Sequence, residues 1–163
     1  MSELERQGVL DYEFWDGIYL PSIRASINAA HKQIVEFARL AEYPEVCIAE
    51  DDIVGTHPNS WNYFLSQKPK EYDMYLSMVY LGDVINGRVE SFTGMTLYSV
   101  SRKFYDKFLS VDPNEHIDRA LAGLGDYHVC HPFTFIQRNG FSSNTGKMEE
   151  YDQLLNGRIL YNG

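Results

Sequence analysis

Three consecutive acidic residues, Glu50, Asp51 and Asp52, follow directly after the apolar run at residues 46–49. Neighbouring carboxylates repel one another and lose hydration beside a buried strand unless a positive group lies between them. Strand alternation directs Glu50 and Asp52 to one side and Asp51 to the other. Such oxygen ligands suit Mg²⁺ or Mn²⁺, completed by water and phosphate oxygens. The triplet therefore predicts a metal site, and the alternative interpretation is a solvated loop that caps the next helix.

The elements that position this triplet follow from the apolar spacing. Apolar residues three and four apart predict a helix that begins after Ser22 as N-cap and ends before Pro44. They are Ile23, Ile27, Ala30, Ile34, Ala38 and Ala41. His31 lies beside this stripe, either as a satisfied interior histidine or as a hydrogen-bonding partner of the acidic loop. The uninterrupted run at residues 46–49 predicts a strand buried on both faces.

The rest of the chain predicts further strands and helices. Thr56 and Pro58 predict a helix start after the acidic loop, and the Asn-Gly pair within residues 85–88 predicts a tight hairpin. Strands are predicted over residues 9–15, 74–81, 96–100 and 128–130, with helices around Phe104 and Phe108 and from Ile117 to Leu124. We therefore expect a single α/β domain over residues 1–163 with a mixed sheet, ending in an irregular arm at residues 139–163.

Charge and composition narrow the range of partners. The 163 residues include 14 Lys and Arg against 23 Asp and Glu, a net charge of −9. Nucleic acid is disfavoured as the main partner, because phosphate backbones are bound by clustered Lys and Arg, and the basic residues here are scattered. No sequence stretch approaches the roughly 20 apolar residues of a membrane span. Cys47 and Cys130 each lie in an apolar run, so we expect two buried thiols in a cytoplasmic protein.

Six short motifs occur in order between residues 9 and 136. They are residues 25–31 with a Ser and a His, the acidic run at 44–52, Tyr75-Leu76, Gly82, residues 96–102 and residues 116–121. This order resembles glycosyltransferase family 25, the lipooligosaccharide galactosyltransferase type, in which an "ILEDD" strand end carries the acids. The resemblance implies a GT-A-like, Rossmann-like fold and a metal-dependent inverting transfer from a nucleotide diphosphate sugar, usually a UDP-sugar, to a saccharide hydroxyl in lipopolysaccharide biosynthesis.

The resemblance also implies roles for individual residues. Glu50 and Asp52 would hold Mn²⁺ or Mg²⁺, with His128 or His131 as third ligand, and the cation would offset the charge of the departing diphosphate. Asp118 is the candidate base for the acceptor hydroxyl, although a first-turn acid also stabilises its own helix. The remaining candidates for donor contacts are Asp51, His31, Ser101 and Arg102. Ser101 has the alternative role of an N-cap.

The amino-terminal region departs from the family pattern. Residues 1–8 precede the segment that corresponds to the family's second strand, so we expect the first nucleotide-binding strand to be missing. Three explanations stay open: a shortened enzyme, a site completed by another subunit, or a degenerate binding module without turnover. An unpaired sheet edge favours a homodimer. A metal-dependent phosphoesterase is a further alternative if Asp118, His128 and His131 converge on the triplet.

Overall fold

The protein is described here by a computed structural model, which covers residues 2–142 and 145–163. The α-helices in these residues are α1 (Glu3–Arg6), α2 (Ile23–Leu40), α3 (Ser60–Ser66), α4 (Tyr105–Ser110), α5 (Ile117–Leu121) and α6 (Tyr151–Leu154). The strands are β1 (Glu45–Ala49), β2 (Ile53–Gly55), β3 (Met74–Leu76), β4 (Arg88–Val89), β5 (Leu97–Ser101), β6 (Tyr127–Val129), β7 (Phe135–Gln137), β8 (Gly140–Ser142) and β9 (Lys147–Glu149).

The main sheet is mixed, as the sequence predicted. Its described strands lie in the order β1-β5-β3-β6-β4, with β3 and β6 parallel and the other pairs antiparallel. Two smaller sheets pair β2 with β7 and β8 with β9. The prediction of a mixed α/β domain is confirmed.

Side chains pack on both faces of the main sheet, because successive strand residues alternate in direction. On β3, Met74 and Leu76 join the cluster that contains Val35 and Ala38 of α2. Tyr75, between them, joins a second cluster with Phe64 of α3. Helix α2 thus covers the face on which the candidate site is built.

Helix α2 begins and ends close to where its sequence predicts, and its buried face overlaps the predicted stripe only in part, through Ala38 and the partly buried Ile34. The Ser22 hydroxyl accepts a hydrogen bond from the Ala25 backbone N–H at 3.4 Å, which confirms the N-cap. Ile23 of the predicted stripe is 47% exposed, whereas the buried set is Ala25, Asn28, His31, Val35 and Ala38. Burial of the two polar members is balanced by specific partners: the Asn28 amide donates to the carbonyl oxygens of Asp112 and Glu115.

Other local predictions also differ from the structure. Residues 9–15 have no regular structure; this segment continues along α2, where the Trp15 and Phe37 rings lie 5.1 Å apart. The prediction that residues 46–49 are buried on both faces is wrong, because β1 lies at the sheet edge, where Ile48 is buried and Cys47 exposed. Cys130 is buried as predicted, whereas the prediction that Cys47 is buried is wrong; both thiols are free within the described residues. The homodimer through the β1 edge stays a prediction.

The carboxy-terminal arm is more ordered than predicted. It contains the β8–β9 pairing and α6, and it is tied to the domain by Tyr161, whose backbone N–H donates to Phe133 O at 2.8 Å. The hairpin prediction is confirmed: Ile85 and Arg88 exchange backbone hydrogen bonds around Asn86 and Gly87, both at positive φ. Among helices in the described residues, none has both the length and the apolar character for a membrane crossing.

Candidate functional site

A cavity of about 450 Å³ lies beside the carboxyl end of β1. This volume is within the range of about 300–1,000 Å³ that small-molecule sites occupy. Its walls come from α2, the loop before β5, α5, β7 and the carboxy-terminal arm. The polar and charged residues that line it include His31, Glu50, Thr93, His116, Asp118, Arg119, Gln137 and Glu149. Apolar lining comes mainly from Ile27, Leu81, Met95, Ile117 and Leu154, and the Tyr80 and Tyr151 rings stack at 5.5 Å.

Glu50 reaches this cavity because of the register between β1 and β5. Ala49 pairs with Leu97, and the Glu50 backbone N–H continues the ladder with a 2.8 Å hydrogen bond to Thr96 O. Strand alternation directs Glu50 to the same face as Ile48, which packs with the α2 cluster. The side chain therefore projects toward α2 and lines the cavity.

His31 connects Glu50 to the buried core. It is 7% exposed, and its Nδ1 lies 2.6 Å from the hydroxyl of Tyr98, a residue of β5 that is fully buried. Its Nε2 lies 3.6 Å from Glu50 Oε1, which is beyond the length of a hydrogen bond. The sequence placed His31 near the acidic loop, and the structure brings it there.

The other two acids of the triplet have different environments. Asp51 and Asp52 form the turn between β1 and β2, where Asp51 is exposed. Asp52 Oδ2 accepts a 2.6 Å hydrogen bond from the Gln137 amide, which lines the cavity, whereas the buried Oδ1 has no partner among the described residues. Burial raises the pKa of Asp52, and the neighbouring charges of Glu50 and Asp51 raise it further. Asp52 is thus a crowded acid with one oxygen unsatisfied.

Asp118 lines the same cavity from the first turn of α5. Its Oδ2 accepts the Gly94 backbone N–H at 3.2 Å, and its Oδ1 accepts the Arg119 backbone N–H at 2.8 Å. Gly94 has a φ of 94° and lies so close to Tyr80 that an added Cβ would be 2.7 Å from its ring. Asp118 therefore fixes a tight loop and also presents its carboxylate to the cavity.

Five sequence-predicted site residues lie elsewhere, among them Asp51, which is exposed and does not line the cavity. Ser101 ends β5 opposite Glu45, at the far end of β1 from Glu50, and the Arg102 guanidinium contacts Glu42 Oε1 at 3.1 Å. Neither lines the cavity, nor do the two predicted histidine ligands. His128 contacts Asp126 at 3.4 Å on β6, and His131 is exposed before a cis Pro132.

Sequence reasoning missed several residues of this cavity. Two of them, His116 and Arg119, lie close to Asp118 in the sequence. The other two, Gln137 and Glu149, belong to the last quarter of the chain. His116 and Arg119 are within a motif that the sequence already singled out, so their proximity to Asp118 was a usable signal. No comparable signal exists for Gln137, because the pairing of β7 with β2 brings it to Asp52.

A divalent cation fits the acidic turn in one specific way. The unsatisfied, buried Oδ1 of Asp52 beside Glu50 is the kind of oxygen that a cation neutralises. Within residues 2–142 and 145–163, no group of three or more His, Cys, Asp and Glu side chains is arranged to hold a metal. Mg²⁺ usually binds through one or two carboxylates and keeps waters or phosphate oxygens as its other ligands. Glu50 and Asp52 fit that pattern.

Comparison of the chain with models of known protein families gives no match, and a search of curated proteins finds no significant match either.

Proposed function

We propose that the cavity carries out metal-dependent, inverting transfer of a sugar from a UDP-sugar to a saccharide hydroxyl, in a GT-A-like fold. The observation that carries this proposal is that Glu50 and Asp118, 68 positions apart in sequence, line one cavity, with Asp52 hydrogen-bonded to the lining residue Gln137. A metal-dependent inverting transfer needs a cation, held by acids, at the leaving group and a base for the acceptor hydroxyl. Acids from two separate elements beside one cavity support such a division of roles.

The proposal assigns a task to each of four residues at the site. Glu50 and Asp52 hold the cation, which when bound offsets the charge of the departing nucleotide diphosphate. Asp118 accepts the proton of the acceptor hydroxyl; each of its oxygens already accepts one backbone N–H and retains a further lone pair. Arg119 replaces Arg102 as the proposed phosphate contact, since Arg119 lines the cavity and Arg102 does not.

Nucleotide binding tests this proposal through thermal stability. A ligand that binds the folded state at a hundredfold excess over its dissociation constant adds about 2.7 kcal/mol to the free energy of unfolding. We expect Mn²⁺ together with a UDP-sugar to raise the Tm, and Asp52→Ala to abolish that shift. Asp51→Ala, in the exposed neighbour, is the matched control and should keep it. Absence of a shift with every nucleotide sugar tested, in the presence of Mn²⁺, would overturn the donor assignment.

A second candidate function is supported by the charge of the cavity itself. Glu50, Asp118 and Glu149 line it against a single described Lys or Arg, Arg119. Without a cation, this excess of negative charge repels a diphosphate, whereas a neutral saccharide experiences no such repulsion. A saccharide-binding module without turnover would therefore bind a neutral oligosaccharide equally well with and without Mn²⁺. Calorimetric titration with a neutral oligosaccharide and with UDP, each with and without Mn²⁺, separates the two functions.

A further inference from the structure

The contact between Tyr98 and His31 fixes where the histidine carries its proton. Tyr98 is fully buried, and its hydroxyl has one hydrogen-bond partner among the described residues, His31 Nδ1 at 2.6 Å. A buried hydroxyl that accepts instead of donating would leave its own proton without an acceptor, which is unfavourable away from water. Tyr98 therefore donates to His31 Nδ1.

The protonation of Tyr98 itself supports this direction. Burial, with the nearby charge of Glu50, raises the pKa of Tyr98 well above its ordinary value of 10.0. The phenol thus keeps its proton. A neutral imidazole accepts at one nitrogen and donates at the other, so acceptance at Nδ1 leaves the proton of His31 on Nε2.

The Nε2 side of His31 faces Glu50. His31 Nε2 lies 3.6 Å from Glu50 Oε1, and among the described residues the Glu50 side chain makes no hydrogen bond. An N–H dipole directed at a carboxylate favours the rotamers that keep the two groups close. Among the described residues, His31 thus offers the Glu50 carboxylate an attractive contact, whereas the neighbouring charge of Asp52 repels it.

We propose that His31 is a positioning residue: Tyr98 holds its ring as the Nε2–H tautomer, and that N–H holds the Glu50 carboxylate toward the cavity. The arrangement is built from three elements, since α2 supplies His31, β5 supplies Tyr98 and the end of β1 supplies Glu50. Its effect on ligand binding rests on the proposed function, whereas the tautomer and the contact with Glu50 do not. Outer groups that orient ligating side chains typically affect metal affinity by about 10–100-fold.

Long-range ¹H–¹⁵N NMR of the imidazole nitrogens tests the tautomer in the ligand-free protein. We expect His31 to carry its proton on Nε2 and to accept at Nδ1, and Tyr98→Phe to convert it to a mixture of tautomers. Tyr105→Phe is the matched control, because Tyr105 is 1% exposed and its buried hydroxyl has no partner among the described residues. An Nδ1–H tautomer in the wild type, or no change in Tyr98→Phe, would overturn the proposal.

The contact between His31 and Glu50 is tested in variants that retain Tyr98. This test therefore does not depend on how well Tyr98→Phe folds. Glu50→Gln should shift the His31 Nε2–H resonance, and Asp51→Asn, at the exposed neighbour, should leave it in place. A His31 resonance that is unchanged by Glu50→Gln would contradict the positioning of Glu50.

Mn²⁺ titration then connects the arrangement to function. Tyr98→Phe should weaken Mn²⁺ binding roughly tenfold, Tyr105→Phe less than about twofold, and Tyr98→Phe should add no further loss in a Glu50→Gln background. Equal affinity in wild type and Tyr98→Phe would overturn the effect on the ligand. If the wild type binds no Mn²⁺ while the NMR results are as expected, the proposed function fails and the positioning of Glu50 by His31 stands.

Discussion

The two ends of strand β1 carry acids in opposite electrostatic situations. At the start, the Glu45 carboxylate accepts hydrogen bonds from Lys68 and Tyr72. Burial raises the pKa of Glu45, but these two hydrogen bonds and the charge of Lys68 together outweigh burial, and the net shift is downward. Just past the end, Glu50 has His31 Nε2 at 3.6 Å and two acidic neighbours, and the pKa of Asp52 is raised.

The difference shows how a chain separates structural acids from candidate ligand-binding acids. Glu45 is compensated inside the protein, so its charge contributes to folding. The described contacts of Asp52 leave Oδ1 unpaired, and ionisation there costs stability, which is a common property of functional sites. The two ends of β1 both carry carboxylates; they differ in whether other groups of the protein compensate the carboxylate charge.

The largest expected effect is on cation binding. Glu50→Gln removes one proposed ligand and should weaken Mn²⁺ binding by at least about tenfold, or about 1.4 kcal/mol. Glu45→Gln makes the same chemical change at the other end of the strand and should change the affinity less than about twofold, because Glu45 is already paired with Lys68. Calorimetric titration measures both. Equal losses of Mn²⁺ affinity in the two variants would contradict the difference between the two ends of β1.

The next effect is on stability at the start of the strand. Glu45→Gln should lower the free energy of unfolding at pH 7 by about 0.5–1 kcal/mol, a value reduced by solvent screening because the side chain is 40% exposed. A lowered folded-state pKa contributes stability that is present above the ordinary value of 4.5 and lost as the pH falls through the folded-state pKa. The difference between wild type and variant should therefore shrink in acid. Urea denaturation at several pH values checks it, and a difference that grows below pH 4.5 would contradict it.

Sequence reasoning found the acids of the site but not the direction of the strands around them. Glu50, His31 and Asp118 were predicted and line one cavity. Ser101 and Arg102 were predicted to share that site, but β5 runs antiparallel to β1, so its last residues lie beside Glu45. Strand direction depends on long-range pairing, which apolar spacing does not encode.

The buried face of α2 was misjudged for a related reason. Apolar spacing favoured Ile23 and Ile27, yet the structure buries the polar residues Asn28 and His31 on the inner face. Each has a partner more than 60 positions away. The hydrophobic pattern alone scores Asn28 as exposed, whereas the sequence already allowed an interior His31. The same spatial pairing brings Gln137 to Asp52. The contacts of polar residues whose partners lie far along the chain are therefore difficult to predict from the sequence.

The smallest expected effect is a gain in stability at the end of the strand. Asp52→Asn removes a charge that burial and two acidic neighbours disfavour, and it keeps an oxygen that can accept the Gln137 amide. We expect the ligand-free variant to be about 0.5 kcal/mol more stable at pH 7; the gain is small because Asp52 is partly exposed and its charge is screened.

A raised folded-state pKa gives stability that is present below the ordinary value of 3.8 and lost as the pH rises through the folded-state pKa. The advantage of Asp52→Asn should therefore vanish below about pH 3.8. Asp51→Asn, at the exposed neighbour, should give a smaller gain, and a destabilised Asp52→Asn at pH 7 would mean that the Asp52 charge is compensated after all.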